Sequence, residues 1–322
     1  MLINRLRLLL FLLLTLSGIG SLSAWEVVKY DGRDYVTASS MRTFYAFQTL
    51  KSSGKYVTLE NSAYSVRFTA NQQECLMNKV KFVLSYPTLK RGDKLLISRL
   101  DLVKIIDPVL RPSYIRTGRA FQTVILDPGH GGKDPGAVNS YGTEKYYNLK
   151  LAKKLKPLLE KRGFKVIMTR SDDTFLTLQE RVNLANRHSN AIFVSLHFNA
   201  GQRSARGIET FTLSPAGTAS TYRRAKGSDA NQLRGNSQDS ANIALATAIH
   251  GLMQRRSGTF DRGIKRARYS VLTGVKHPAV LIEGGFLSHP YEAKLIHSET
   301  YMTKLASSIS DGILKYRMAI SR

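Results

Sequence analysis

Cysteine is nearly absent from this chain: Cys75 is the only one in 322 residues. A single thiol forms no intramolecular disulfide and builds no cysteine-cluster zinc module, so the fold must rest on its apolar core. Acid is scarce as well, with 23 Asp and Glu against 48 Lys and Arg and a formal net charge of +25. An excess of that size predicts attraction to an anionic surface or polymer. The chain lacks zinc-finger cysteines, an RNP-like aromatic motif and any long unbroken basic tract. Nucleic acid is therefore the disfavoured partner, and anionic envelope polymers or lipid headgroups fit the charge better.

Long apolar runs are missing except at the start. In "MLINRLRLLLFLLLTLSGIGSLSAWE", Arg5 and Arg7 precede a leucine-rich run, and the small residues Ser21, Ser23 and Ala24 follow it. This pattern predicts a secretory signal peptide over residues 1–24, cut near residues 23–24. The run from Leu8 to Leu22 is short beside the roughly 20 residues of a membrane span, which leaves an uncleaved tether as the alternative. The leader predicts export, to the periplasm of a Gram-negative cell or otherwise to the wall or the medium.

The patterning changes near residue 110. Residues 25–106 alternate short β-prone stretches such as "KYVTLE" and "AYSVRFTA" with polar turns, Asp31-Gly32 among them. Two stretches there read as helical, "ASSMRTFYAFQTL" and "SRLDLVKII", which makes a small α+β module. Residues 107–119, rich in proline and charge, read as a linker. From residue 120 to 322, strand candidates "FQTVILD", "FKVIMTR", "AIFVSLHF", "GIETFTL" and "AVLIEG" are interleaved with amphipathic helical stretches. That alternation predicts an α/β fold, a twisted and mostly parallel sheet flanked by helices.

Polar residues at strand ends are where such a sheet presents chemistry. His130 follows "VILDPG", His197 closes "AIFVSLH", Glu283 closes "AVLIE", and Glu144 opens the helix "EKYYNLKLA". Two imidazoles and a carboxylate suit zinc with one position left open to water. A glutamate beside such a site can act as general base. Each residue also has a plainer reading. His130 can fill a turn, His197 can be a hydrogen-bonded core residue, Glu144 can complement its helix N-terminus, and Glu283 can be a paired buried acid. Asp127 is the expected support for the second ring nitrogen of His130, with a backbone carbonyl as the alternative.

The ordered motifs "ILDPGHGGKDPGA", "FVSLHFNA", "RGIETFTL", "DRGIKRARYSVL" and "PAVLIEGGFLSHPYEAKLI" resemble those of the zinc-dependent N-acetylmuramoyl-L-alanine amidases, amidase type 3, across residues 121–317. The resemblance implies that His130, Glu144 and His197 bind Zn2+ and that Glu283 is catalytic. It also implies a peptidoglycan substrate, cut between N-acetylmuramic acid and L-alanine during wall remodelling or daughter-cell separation. The remaining alternatives are a noncatalytic basic wall-binding protein and a zinc peptidase acting within the stem peptide.

Asn199, two residues after His197, can direct its amide toward the same cleft, and Arg206 can pair with a stem-peptide carboxylate or be an ordinary solvated arginine. Arg262, Lys265, Arg266 and Arg268 read as a solvated basic face, with guidance of an anionic ligand as the alternative. Some relatives in this family carry a blocking acidic helix that an activator protein displaces. The polar insert at residues 214–240 contains Asp229 and Asp239 but no glutamate, so autoinhibition of that kind is expected to be limited or absent. The first module is similar to the small N-terminal-like domains of copper amine oxidases, without a copper-binding constellation.

Overall fold

The computed structural model describes residues 25–117 and 121–321, and the expected leader lies outside them. Strands β1 (Val27–Tyr30) and β2 (Arg33–Thr37) form a hairpin. Its turn places Asp31 at φ 47° and Gly32 at φ 69°, the left-handed pair that a two-residue hairpin favours. Helix α1 (Ala38–Phe44) is capped by Thr37, whose side chain accepts from the Ser40 amide. The helix stops there because Ala46 turns to φ 52° and the "TL" of the expected helix enters the next strand.

An antiparallel meander follows: β3 (Thr49–Ser53), β4 (Tyr56–Glu60), β5 (Ser65–Thr69), β6 (Glu74–Met77) and β7 (Val80–Val83). Strands β8 (Leu89–Arg91) and β9 (Lys94–Ser98) return to the first hairpin, giving a sheet ordered β1-β2-β9-β8. A helical segment, α2, then runs over residues 99–110, and Ser98 caps it by accepting from the Asp101 amide. The expected linker is partly ordered within this body, since Asp107–Leu110 is helical and Leu110 and Ile115 are buried in the core.

The second half begins with β10 (Thr123–Pro128), the short hairpin β11 (Val138–Asn139) and β12 (Gly142–Thr143), and helix α3 (Glu144–Glu160). It continues through β13 (Lys165–Met168), α4 (Leu178–Asn186), β14 (Ala191–Asn199), β15 (Ile208–Leu213), α5 (Asp239–Ser257) and β16 (Asp261–Ala267). It ends with α6 (Ser270–Gly274), β17 (Ala279–Phe286), α7 (Pro290–His297) and α8 (Glu299–Ile320). Strands β13, β10, β14 and β17 are mutually parallel, β15 runs antiparallel to β17, and β16 is parallel to β15. The α/β expectation of a twisted, mostly parallel sheet flanked by helices, preceded by a small α+β region, therefore describes the molecule.

The two halves share one sheet. Ile264 of β16 pairs with Phe82 of β7, so the order runs β13-β10-β14-β17-β15-β16-β7-β6-β5-β4-β3. Strand β16 was not legible as a strand, because "DRGIKRA" carries four charges in seven residues. Its solvated-face reading is overturned: Lys265 and Arg266 are 5% and 4% exposed. Lys265 pairs with Glu209, while Arg266 lies 3.8 Å from Asp101 of α2 and donates to the Val83 carbonyl at 3.0 Å. Buried charge needs such partners, and Arg266 finds both of these in the first half of the chain.

Strand alternation divides the core. Ile192, Val194, Leu196 and Phe198 of β14 pack with residues of α3, α5 and α8 in one cluster. Phe193 points the other way, with Ile125, Phe211 and Leu281, toward Val182 of α4 and Val271 of α6. By the same period Asp127, His197, Glu209 and Glu283 share the second face, where α4 and α6 are short and leave a cleft. No helix among the described residues is long and apolar enough to cross a membrane.

Candidate metal centre

The chain leaves β10 through Gly129, where an added Cβ would come within 2.1 Å of the His197 ring. His130 takes φ 60° and Gly131 and Gly132 take φ 132° and 54°, a left-handed run that glycines permit and histidine tolerates at a cost. This bend aims His130 Nε2 at Glu144 Oε1, 3.1 Å away. Its Nδ1 meets Asp134 Oδ2 at 2.8 Å. Asp134, not Asp127, thus supports His130. Asp127 is buried and accepts from Thr169 at 2.7 Å, Arg181 at 2.7 Å and Ser195 at 2.9 Å, which ties β10 to its neighbours.

Glu144 opens α3 and is 6% exposed. Its Oε1 lies 2.8 Å from His197 Nδ1 and accepts from the Phe198 amide at 3.3 Å, while Oε2 accepts from the Ala137 amide at 3.0 Å. Burial resists its ionisation, but the hydrogen bonds to His130 and His197 outweigh burial and hold its pKa below the ordinary carboxylate range. One ligand atom from each of His130, Glu144 and His197 lies within 4.8 Å of the others.

This donor set fits a catalytic zinc on three counts. It is two imidazole nitrogens and a carboxylate, a combination suited to that metal. The far nitrogen of His130 meets a carboxylate, the usual support of a ligating imidazole. The set also opens on a cleft of about 560 Å³ whose lining includes Phe175, Leu178, Val271 and Glu283.

Glu283 is 9% exposed on β17, paired in register with His197 on one side and with Glu209 of β15 on the other. Its Oε2 has no hydrogen-bond partner among the described residues. Burial, then the charges of Glu144 and Glu209, push its pKa well above the ordinary carboxylate range, against the pull of Lys265. A carboxyl group in that state is suited to proton transfer.

Strand geometry thus brings together all four residues singled out from sequence. A model of the N-acetylmuramoyl-L-alanine amidase family (Amidase_3) matches residues 124–315. The chain belongs to this family. The E. coli N-acetylmuramoyl-L-alanine amidase AmiA is 29% identical over 244 residues, covering 68% of this chain and 84% of that one. Among solved structures, the catalytic domain of the amidase CwlV from Bacillus (Paenibacillus) polymyxa var. colistinus is similar at 33% identity and a TM-score of 0.51, over 61% of this chain and 98% of that one. The CwlD amidase from Clostridioides difficile, solved in complex with the GerS lipoprotein, is 32% identical with a TM-score of 0.50, over 61% of this chain and 98% of that one.

The amidase match begins in β10 and ends in α8, so β1 to β9 lie outside it, and the copper amine oxidase-like resemblance of that region gains no support. Two residues beside the candidate site escaped sequence reading. Asp134 lies four residues after His130, but only the left-handed backbone between them brings the two side chains together. Glu209, inside "IETF", had no signal, because only strand order sets it beside Glu283. Asn199 is turned away from the expected substrate role, its Nδ2 donating to Glu209 at 2.5 Å. Arg206 is exposed.

Proposed function

We propose that this chain is an exported zinc amidase. In peptidoglycan it hydrolyses the amide between the lactyl group of N-acetylmuramic acid and the L-alanine that opens the stem peptide. The observation that carries the reading is the unpartnered Glu283 Oε2 beside a three-ligand set in one cleft. His130, Glu144 and His197 would hold the zinc, which supplies a Lewis acid to polarise the scissile carbonyl and acidify water.

The side chains do the rest. Glu283 takes the proton of the attacking water and returns it to the departing nitrogen as the carbon–nitrogen bond breaks. Asp134 holds His130 Nδ1 and so keeps Nε2 directed at the metal position. Phe175, Leu178 and Val271 supply apolar surface to the cleft.

No acidic group of the insert guards the cleft. Asp229 is engaged by Arg223 at 2.5 Å and Arg268 at 3.0 Å. Asp239 is engaged by Lys104 at 3.0 Å and Asn236 at 3.0 Å. These pairings support a site that works without displacement of a built-in block, and the +25 charge supports residence on an anionic envelope.

Mass analysis of purified peptidoglycan, after incubation with zinc-loaded wild type and with Glu283→Ala, tests the reading. Wild type should release intact stem peptides beginning with L-alanine, and the variant should keep its zinc while losing turnover by about 10²- to 10⁴-fold. Cleavage inside the stem instead would make the enzyme a peptidase.

A further inference from the structure

Beyond Glu283 the same sheet face carries a charge cluster that the hydrolytic chemistry does not use. Glu209 is 3% exposed, and its Oε2 is shared by two cations, Lys265 Nζ and Arg262 Nε, the latter at 3.0 Å. Its Oε1 is taken by Asn199. One carboxylate therefore faces two basic side chains.

Arg262 and Lys265 stand three apart on β16, and in a regular strand such residues point to opposite faces. Here they reach the same carboxylate because β16 is irregular: Ile208 pairs with Asp261 but Thr210 pairs with Ile264. Arg262 and Gly263 together oppose the single residue Glu209. Gly263 takes φ 85°, and a Cβ there would come within 2.9 Å of Lys81. A bulge of this kind re-aims one side chain, and bulges concentrate beside active sites.

The re-aimed guanidinium is held yet accessible. It lies over the Phe286 ring at 4.9 Å and keeps 30% of its side-chain surface. Nε is spent on Glu209, Nη1 reaches only the Arg206 carbonyl at 3.5 Å, and Nη2 has no partner among the described residues. A stacked guanidinium with an open edge is a receptor for a planar carboxylate.

Its position selects which carboxylate. The backbone of Arg262 lies two strands from that of Glu283 through β15, about 10 Å at the usual strand spacing of roughly 4.8 Å. Its side chain reaches back to Glu209 of β15 and the Phe286 ring of β17, which keeps the guanidinium within that span. An extended peptide covers that distance in about three residues at roughly 3.3–3.6 Å each. We propose that the bulge at Arg262–Gly263 presents Arg262 as a specificity-determining residue, which binds a free carboxylate carried within the first three residues of the stem peptide. This inference rests on the amidase reading above.

The test uses the zinc-loaded mature chain and two soluble N-acetylmuramoyl peptides that differ only in whether that carboxylate is free or amidated. Steady-state kinetics on both are paired with calorimetric binding of the two corresponding peptides without the sugar. Wild type should prefer the free carboxylate by about tenfold in kcat/KM, chiefly through KM, the scale of one charge-assisted hydrogen bond. Arg262→Gln should bring that ratio close to one, and Arg262→Lys, which keeps the charge but loses the fork, should restore part of it. A wild-type ratio near one, or a ratio unchanged in Arg262→Gln, overturns the subsite. If neither muramoyl peptide is cut while peptide binding still discriminates through Arg262, the amidase reading falls and the subsite stands.

Discussion

Two buried glutamates of one candidate site keep opposite company. Glu144 is ringed by donors, with His130, His197 and the amides of Ala137 and Phe198 all within 3.3 Å of its oxygens. Glu283 has an oxygen without a partner among the described residues and two carboxylates for neighbours. Burial alone would raise both pKa values, and the donors reverse that outcome at Glu144 only. The same residue type is thereby suited to hold a cation in one place and to transfer a proton in the other, as environment-set carboxylate pairs do.

Removing the donor-ringed carboxylate gives the largest expected effect. Glu144→Gln should abolish stoichiometric zinc, measured by metal analysis after dialysis, and turnover should vanish with it. Full zinc occupancy in that variant would end the division of labour between the two glutamates. A smaller effect is expected at the support of His130. Asp134→Asn should weaken zinc affinity by about 10- to 100-fold, read by competition with a chelator, whereas Asp127→Asn should act on folding stability through its contacts with Arg181, Thr169 and Ser195. Equal zinc loss in both variants would return Asp127 to the role expected from sequence.

The smallest effect concerns the stability of the metal-free protein against pH. Glu283 has a raised folded pKa, so its contribution is full below the ordinary glutamate value and is lost as pH rises toward the folded one. Glu144 has a lowered folded pKa, so its contribution is present above the ordinary value and is lost as pH falls through and below that range. Urea midpoints measured across pH should therefore fall on both sides in wild type. Glu283→Gln should remove the fall on the upper side alone, and retention of that fall would assign it to another group.

Much of the catalytic half was legible because its signals are local. Apolar runs ending in His197 and Glu283, and the glycine-rich bend at His130, announce strand ends from a few neighbouring residues. Asp134 was overlooked because its approach to His130 depends on the left-handed backbone between them. The charges of β16 hid a strand, since a lysine and two arginines read as solvent-facing until Glu209, Asp101 and the Val83 carbonyl are placed beside them. The boundary near residue 110 was visible as a change of pattern, yet the joining of the halves through Phe82 and Ile264 is a pairing of residues far apart in the chain.

By itself the amino-acid order determined the α/β class, the strands that end in polar residues, and the four candidate side chains, three at strand ends and Glu144 at a helix start. These follow from periodicity and from glycine and capping chemistry, which act over a few residues. Tertiary structure alone decided which carboxylate supports His130, which glutamate stands beside Glu283, and that Arg262 and Lys265 meet on Glu209. It also decided that the small first region extends the catalytic sheet. Strand order and a one-residue bulge control those contacts, and both depend on residues brought together only by the packed sheet.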